Sequence, residues 1–268
     1  MDFAELAEHI RDSDRFHFPL GWSPQLPKVL GFQLTKFMVL ELIAAGLMLV
    51  VFLALARRIR GGGPPKGLFW NFFEVMLVFI RDEVARPSIG KHDADKFLPF
   101  LWNMFFFILF CNLLGILPWA GSPTGALTVT AALAGITFCA VVGTGIHKFG
   151  FGGFFKSLVP HMQLPKALSY FLIPMIFVIE LAGLLIRHVV LAVRLLANMF
   201  AGHLVLAVIL GFVAVWANYF FLAWLGITTA SIVGSAALTL LELFVAFLQA
   251  YIFTFLSALF IGMAVHPH

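Results

Sequence analysis

Across residues 167–265 only Glu180, Arg187, Arg194 and Glu242 carry a formal charge. A stretch that apolar belongs in the hydrocarbon core of a membrane. There every backbone N–H and C=O has to be bonded within the chain, so helix is the expected state. The rest of the chain agrees, with 62% apolar residues, 11% charged residues and 32 phenylalanines among 268 positions. That balance leaves no room for a separate soluble domain. The expected fold is an all-α integral membrane protein: one polytopic domain with about five membrane helices and one interfacial amphipathic helix. The net charge of +4 is no nucleic-acid signature, because the basic residues collect between apolar runs.

Segment by segment, residues 1–34 read as an external N-terminal segment and 35–57 as the first span, its apolar part covering 37–56. Residues 97–146 read as a helical pair, with spans 97–117 and 126–146 joined by a short loop. Each span supplies about 20 apolar residues, enough to cross the core. Eight Lys/Arg (57, 58, 60, 66, 81, 86, 91 and 96) lie between the first two spans, and Lys148, Lys156 and Lys166 follow the third. The loop 118–125 has none, so the positive-inside rule places the N-terminus outside and the C-terminus in the cytoplasm. The acidic N-terminal tail (Asp2, Glu5, Glu8, Asp12, Asp14) lacks the basic region of a signal peptide.

Residues 68–86 read as a helix lying on the cytoplasmic membrane face, with Asn71, Glu74, Arg81, Asp82 and Ala85 on one stripe. Residues 167–265 read as a helical hairpin with its turn within 216–231, where Asn218 and the GITTAS segment form a polar cluster. Each arm could reach about 60–75 Å, twice a core of roughly 30 Å. The arms therefore break, near Pro174 for instance, or lie steeply tilted. Tilt is the more economical reading.

Arg194 lies in VVLAVRLLANM with no acidic residue within ten positions. Placing a guanidinium at bilayer depth costs about 2.5–3.5 kcal/mol on insertion scales, and arginine cannot escape by deprotonating. A cation kept there points to a wet or ion-conducting environment. Glu180, Arg187 and Arg194 are spaced by seven, which holds them within about 40° of one stripe; Ala197 and Ala201 extend it. Asn198 stands one turn from Arg194, while His203 points to the opposite side. On the second arm Glu242 and Gln249 share a face beside the small residues Ala246, Ala250, Thr254 and Ser257. Pairing the arms antiparallel levels Arg194 with Gln249 and His203 with Glu242 at nearly one index sum, which centres the turn near Leu222. His203 exchanges protons near neutral pH and Glu242 can hold one, so the order of groups suits proton movement. A fixed cation behind them bars a straight passage.

RLLANMFAGH (194–203), LELFVAFLQAYIFTFL (241–256) and NLLGILPW (112–119) resemble subunit a of F-type ATP synthases, and the likeness runs over nearly the whole chain. The resemblance implies a proton-translocating stator, not an enzyme as an isolated chain but part of a proton-translocating complex. Two half-channels would meet a rotating c-subunit ring in a cell inner membrane. It implies Arg194 as the residue facing the ring, Asn198, His203, Glu242 and Gln249 in the outer half-channel, and Glu180 near the cytoplasmic one. It implies b-type peripheral-stalk subunits, other synthase subunits and lipid as partners, with no cofactor, metal or nucleic acid. Many bacterial members carry an acid at the place of His203 and a histidine at that of Glu242. The exchanged pair resembles the alphaproteobacterial and mitochondrial branch.

Plainer readings stand beside these. Arg194 as a structural arginine bonded to carbonyls or lipid phosphate is the alternative there. Arg187 with His188 reads equally as a solvated turn. Glu41 reads as a snorkelling or capping residue, and His147 and His161 as surface residues. Cys111 and Cys139 read as buried inert thiols, and His266-Pro267-His268 as a loose tail. The small-residue stripe divides between hairpin packing and contact with the ring. Two rival classes are a haem- or quinone-binding anchor subunit, which needs paired histidines on facing helices, and a free-standing transporter, which predicts inverted repeats.

Overall fold

A computed structural model of the chain describes residues 26–29, 32–60, 67–117, 121–157, 166–216 and 221–266. A two-residue antiparallel ribbon, β1 (Lys28–Val29) with β2 (Phe32–Gln33), comes first and pairs Lys28 with Gln33. The rest is helical: α1 (Lys36–Ile59), α2 (Leu68–Phe79), α3 (Arg86–Ile89), α4 (Ala94–Gly115), α5 (Leu127–Ser157), α6 (Lys166–Trp216) and α7 (Phe221–Val265). Five of these are long and apolar enough to cross a membrane, so the fold is the all-α membrane class the composition predicts. The five fall on the five predicted spans.

The described residues gather into two compact units. The first takes them from Met1–Gly63, Phe106–Thr130 and Arg194–Ala250, the second from Pro64–Phe105, Ala131–Val193 and Tyr251–His268.

In the first unit Thr35 caps α1, its hydroxyl accepting from the Met38 N–H at 3.5 Å. Phe37 and Leu40 bury against Ala126, and Phe52 meets Phe106 edge-on at 4.7 Å. Below the end of α4 a 3-10 turn, Pro123–Gly125, brings three polar side chains inside. Thr124 donates to Asn112 Oδ1 at 2.7 Å, and the Thr124 and Ser122 hydroxyls lie 2.7 Å apart. Asn112 in turn donates to the Ala246 carbonyl of α7 at 3.3 Å. A buried polar group is costly unless bonded, and these satisfy one another.

In the second unit α2 continues into a π-helical stretch, Ile80–Ala85, and then α3. Wider π turns alter the phase of the side chains, and this corrects the predicted polar stripe. Ala85 is fully buried with Ile80 and Val84, whereas Asn71 is exposed and Leu68, Phe69, Phe72 and Val75 are exposed apolar residues. Trp102 of α4 donates to the Leu77 carbonyl at 3.0 Å. Gly262 of α7 has its Cα against the Ser88 carbonyl, with no space for a methyl group. Asp82 binds Arg81 at 3.0 Å and Arg86 at 2.7 Å. Asp93 binds Lys96 at 2.9 Å, with Lys148 and His266 each at 3.9 Å.

Three further expectations are corrected. The third span is longer than 126–146. It runs to Ser157 across a kink at Gly150 (φ 72°), and Phe154 returns onto Gly145, whose missing side chain admits the ring. The hairpin turn is shorter than 216–231, since α7 already includes the GITTAS segment. Thr229 donates to the Leu225 carbonyl at 2.8 Å, so a hydroxyl that looks like a turn signal is satisfied inside the helix. Finally, Arg187 and His188 lie in the middle of α6 instead of at a turn, while the same helix runs through Pro174 without a break, as the preferred reading of long unbroken arms expects. By length α6 and α7 measure about 77 and 68 Å at 1.5 Å per residue. Upright placement in a core of about 30 Å is impossible for both.

Candidate functional site

Arg194 sits on α6 in the first unit, half-buried. Among the described residues it makes no ion pair and no hydrogen bond. Its helical neighbours Ala197 and Ala201 are exposed, as are Phe200 and Leu204, so the stripe of Arg194 opens outward from the chain. The small alanines leave the guanidinium uncovered on that side. The reading of Arg194 as locked within its own chain finds no partner here.

On the inner side of the same helix Asn198, Met199 and His203 line an open-sided cavity with about 20 Å3 of room for water. Gly115 and Ile116 at the end of α4 form another wall, and Glu242 with Val245 of α7 closes it. The sequence thus paired the correct side chains: His203 and Glu242 share one cavity, as the hairpin register expects. The approach is made possible by Gly202. A methyl group there would lie 2.5 Å from Glu242 Oε1 and 3.3 Å from its Cγ, so the glutamate rests on bare backbone. The His203 Nε2 is buried without a protein partner, beside a space large enough for water. An imidazole, a carboxyl group and a carboxamide around such a space can bind water and hand a proton between side chains.

The other candidates distribute as follows. Gln249 is buried at 6% exposure on α7 in the first unit. Glu180 belongs to the second unit, half-buried on α6, and the cavity does not include it. Of the small-residue stripe, Ala246, Ala250, Thr254 and Ser257 are all fully buried within the chain, which favours internal packing over an outer contact. His188 is buried between Phe138 and Phe260, each ring 5.2 Å away, with its Nδ1 2.8 Å from the Leu184 carbonyl. Cys111 is buried as expected, but Cys139 is exposed on α5, because its helix turns that face outward. His266 is held near Asp93 and continues the helical bonding through its N–H to Gly262, a correction to the loose tail. His161, Pro267 and His268 lie outside the described residues.

Two features escaped the sequence reading. Lys36, the first residue of α1, is fully buried, and the Asn112–Thr124–Ser122 network braces α4 against α7. A signal existed for Lys36, since a cation in the first turn of a helix opposes the helix dipole.

Fold and site define a polytopic helical membrane protein that keeps in its apolar body a cation without an ion pair among the described residues and a cavity lined by an imidazole and a carboxyl group. The chain belongs to the ATP synthase A chain family, whose model matches residues 38–262. It is 36% identical to ATP synthase subunit a of Myxococcus xanthus, over 97% of this chain and 88% of that one. It is 38% identical to ATP synthase subunit a of Chloroherpeton thalassium, over 96% of this chain and 75% of the relative. With ATP synthase subunit a 2 of Chlorobaculum tepidum it shares 36% identity, over 97% and 72% of the two chains.

Proposed function

We propose that this chain is the proton-translocating stator subunit of an ATP synthase membrane sector. It supplies two half-channels separated by Arg194, which faces a rotating ring of c subunits. The observation that carries this reading is the half-buried Arg194 without a counter-ion among the described residues, on a stripe left open by Ala197 and Ala201.

Asn198, His203 and Glu242, which line one cavity, form the outer half-channel, and the buried Gln249 extends it on α7. A proton reaching the cavity is taken by His203 or Glu242 and passed to a carboxylate on the ring. Arg194 then acts twice. Its charge favours the ionised form of a ring carboxylate opposite it, releasing that group's proton, and it repels any proton that would continue through. Glu180 serves the cytoplasmic half-channel. Each charge that crosses at 100 mV releases about 2.3 kcal/mol, so a leak past Arg194 would waste the drive for synthesis.

The membrane is a bacterial inner membrane, with the N-terminus outside and the C-terminus in the cytoplasm. The c-ring and b-type stalk subunits are the partners. An anchor subunit for haem is the poorer reading, because among the described residues His188 and His203, whose Nε2 atoms are buried, lie on one helix and not on facing ones. The deciding experiment is Arg194→Ala in the assembled synthase, read as ATP-driven proton pumping by inverted membrane vesicles. Pumping should be lost with the complex still assembled; a normal rate would refute the role.

A further inference from the structure

We propose that Thr228, Ser231, Ser235 and Thr239 hold a file of water along one face of α7, and that protons entering from outside follow it to Glu242. The inference rests on the proton path and orientation proposed above, and adds to them an intake that the cavity itself does not include.

The GITTAS segment has the composition of a turn but lies inside α7, which leaves its hydroxyls without the use a turn would give them. Counting back from Glu242, Thr239, Ser235, Ser231 and Thr228 follow at intervals of three, four, four and three. At about 100° per residue all four share with Glu242 a sector of about 80°, and Gln249 continues it beyond. This sector is the inner face of the helix. Ser231 is buried and Thr228, Ser235 and Thr239 are half-buried, whereas Val233, Leu240 and Phe244 on the opposite side are 65–68% exposed.

A hydroxyl on an apolar helix is commonly satisfied by the helix's own carbonyls. Thr229 does this from the outward side, donating to the Leu225 carbonyl. Thr228, its inward neighbour, does not: its Oγ1 is buried and has no hydrogen-bond partner among the described residues. Ser231, one turn deeper and 8% exposed, makes no hydrogen bond there either. Left so, each would cost about 1–3 kcal/mol, a cost that bound water removes. Ser235 and Thr239 donate to the carbonyls of Ile232 at 3.0 Å and Ser235 at 2.9 Å, which leaves their oxygens able to accept from water. Gly234, beside Ser235, has nothing within 4 Å of the place where a side chain would begin, so there is room along this flank. At the inner end stands the cavity, where His203 Nε2 is likewise buried without a partner. Unsatisfied groups thus mark both ends of one polar track. From Thr228 to Glu242 it covers about 21 Å of a core of about 30 Å.

The hydroxyls keep their own protons throughout. Each water takes a proton from its outer neighbour and gives one to its inner neighbour. The last gives one to the Glu242 carboxylate, which becomes a neutral carboxyl group.

The test uses the assembled synthase in inverted vesicles, with ATP-driven pumping and gradient-driven ATP synthesis both measured. Thr228→Val, Ser231→Ala, Ser235→Ala and Thr239→Val together remove the hydroxyls with little change of shape and should lower both rates several-fold. Thr229→Val, the same change one residue away on the outward face, should leave them as they were. Unchanged rates in the combined variant would overturn the proposal, as would an equal loss in Thr229→Val. A second measurement does not depend on activity. A thiol must ionise to react, and for that it needs water. In a background carrying Cys111→Ala and Cys139→Ala, intact cells are treated with a membrane-impermeant methanethiosulfonate cation. Thr228→Cys, Ser235→Cys and Thr239→Cys should be modified, and Val233→Cys and Leu240→Cys should not. Ser235→Cys and Thr239→Cys remaining unmodified would overturn the file, even where the combined variant fails to assemble; so would equal modification of both faces. Arg194→Ala is run alongside: normal pumping there would condemn the proton path as a whole, whereas its loss beside unchanged hydroxyl variants would condemn the intake alone.

Discussion

Glu242 lies on Gly202 because nothing but hydrogen intervenes, and this contact makes a sharp test of the cavity. Gly202→Ala adds one methyl group under the carboxylate. The helix itself gains, since alanine is favoured over glycine by about 1 kcal/mol, and the end of the glutamate is free to swing aside. Stability should therefore change little while proton flux falls several-fold. Equal flux in ATP-driven pumping assays would show that the carboxylate's position is unimportant. Glu242→Gln keeps the shape and removes the exchangeable proton, so passage should slow without loss of the subunit from the complex. Flux unchanged between pH 6 and 9 would count against a relay. Both groups were legible in the sequence because a charge or imidazole in an apolar run has few structural uses. Lys36 was not, because a lysine at the end of a span reads as snorkelling. Its burial is produced by a turn some 85 residues later, and no local pattern announces that.

At the scale of elements, the brace between α4 and α7 holds the cavity wall opposite Glu242. Asn112→Leu removes the bond to the Ala246 carbonyl and the acceptor of the Thr124 hydroxyl, leaving the Thr124–Ser122 pair one partner short. Leaving buried polar groups unpaired costs about 1–3 kcal/mol, so the purified complex should melt at lower temperature. A melting temperature equal to that of the unmodified protein would mean that water replaces the network. Helix number and approximate spans followed from apolar length, and the pairing of the last two arms followed from the spacing of their polar residues. The end of the third span and the π-helical stretch did not. A glycine kink keeps the apolar character unbroken, and a π turn shifts the phase without changing composition. The GITTAS segment misled for a related reason: serine and threonine can serve a helix as well as a turn.

For the whole molecule, the cluster around Asp93 joins α4, the second part of α5 and the end of α7 in one unit. The hydrogen bond from Lys96 holds the Asp93 carboxyl below the usual carboxylate range, with Lys148 and His92 adding to the effect. A lowered value means that the contribution is present above the ordinary carboxylate pKa and is lost as pH falls through the lowered one. Asp93→Asn should therefore reduce the melting temperature slightly at pH 7 and progressively less as pH falls below the ordinary carboxylate range, and the difference should shrink in high salt. A deficit that does not shrink on acidification would assign the effect to shape.

The lengths of α6 and α7 carry a mechanical implication. A rod that outruns a thin slab must lean, and on a leaning rod two points at different depths are also displaced sideways. A traveller admitted beside one point and discharged beside the other cannot simply sink through the slab; it has to be carried along the plane. Such a slant turns a difference across the membrane into sideways thrust, the kind of push that could drive a wheel.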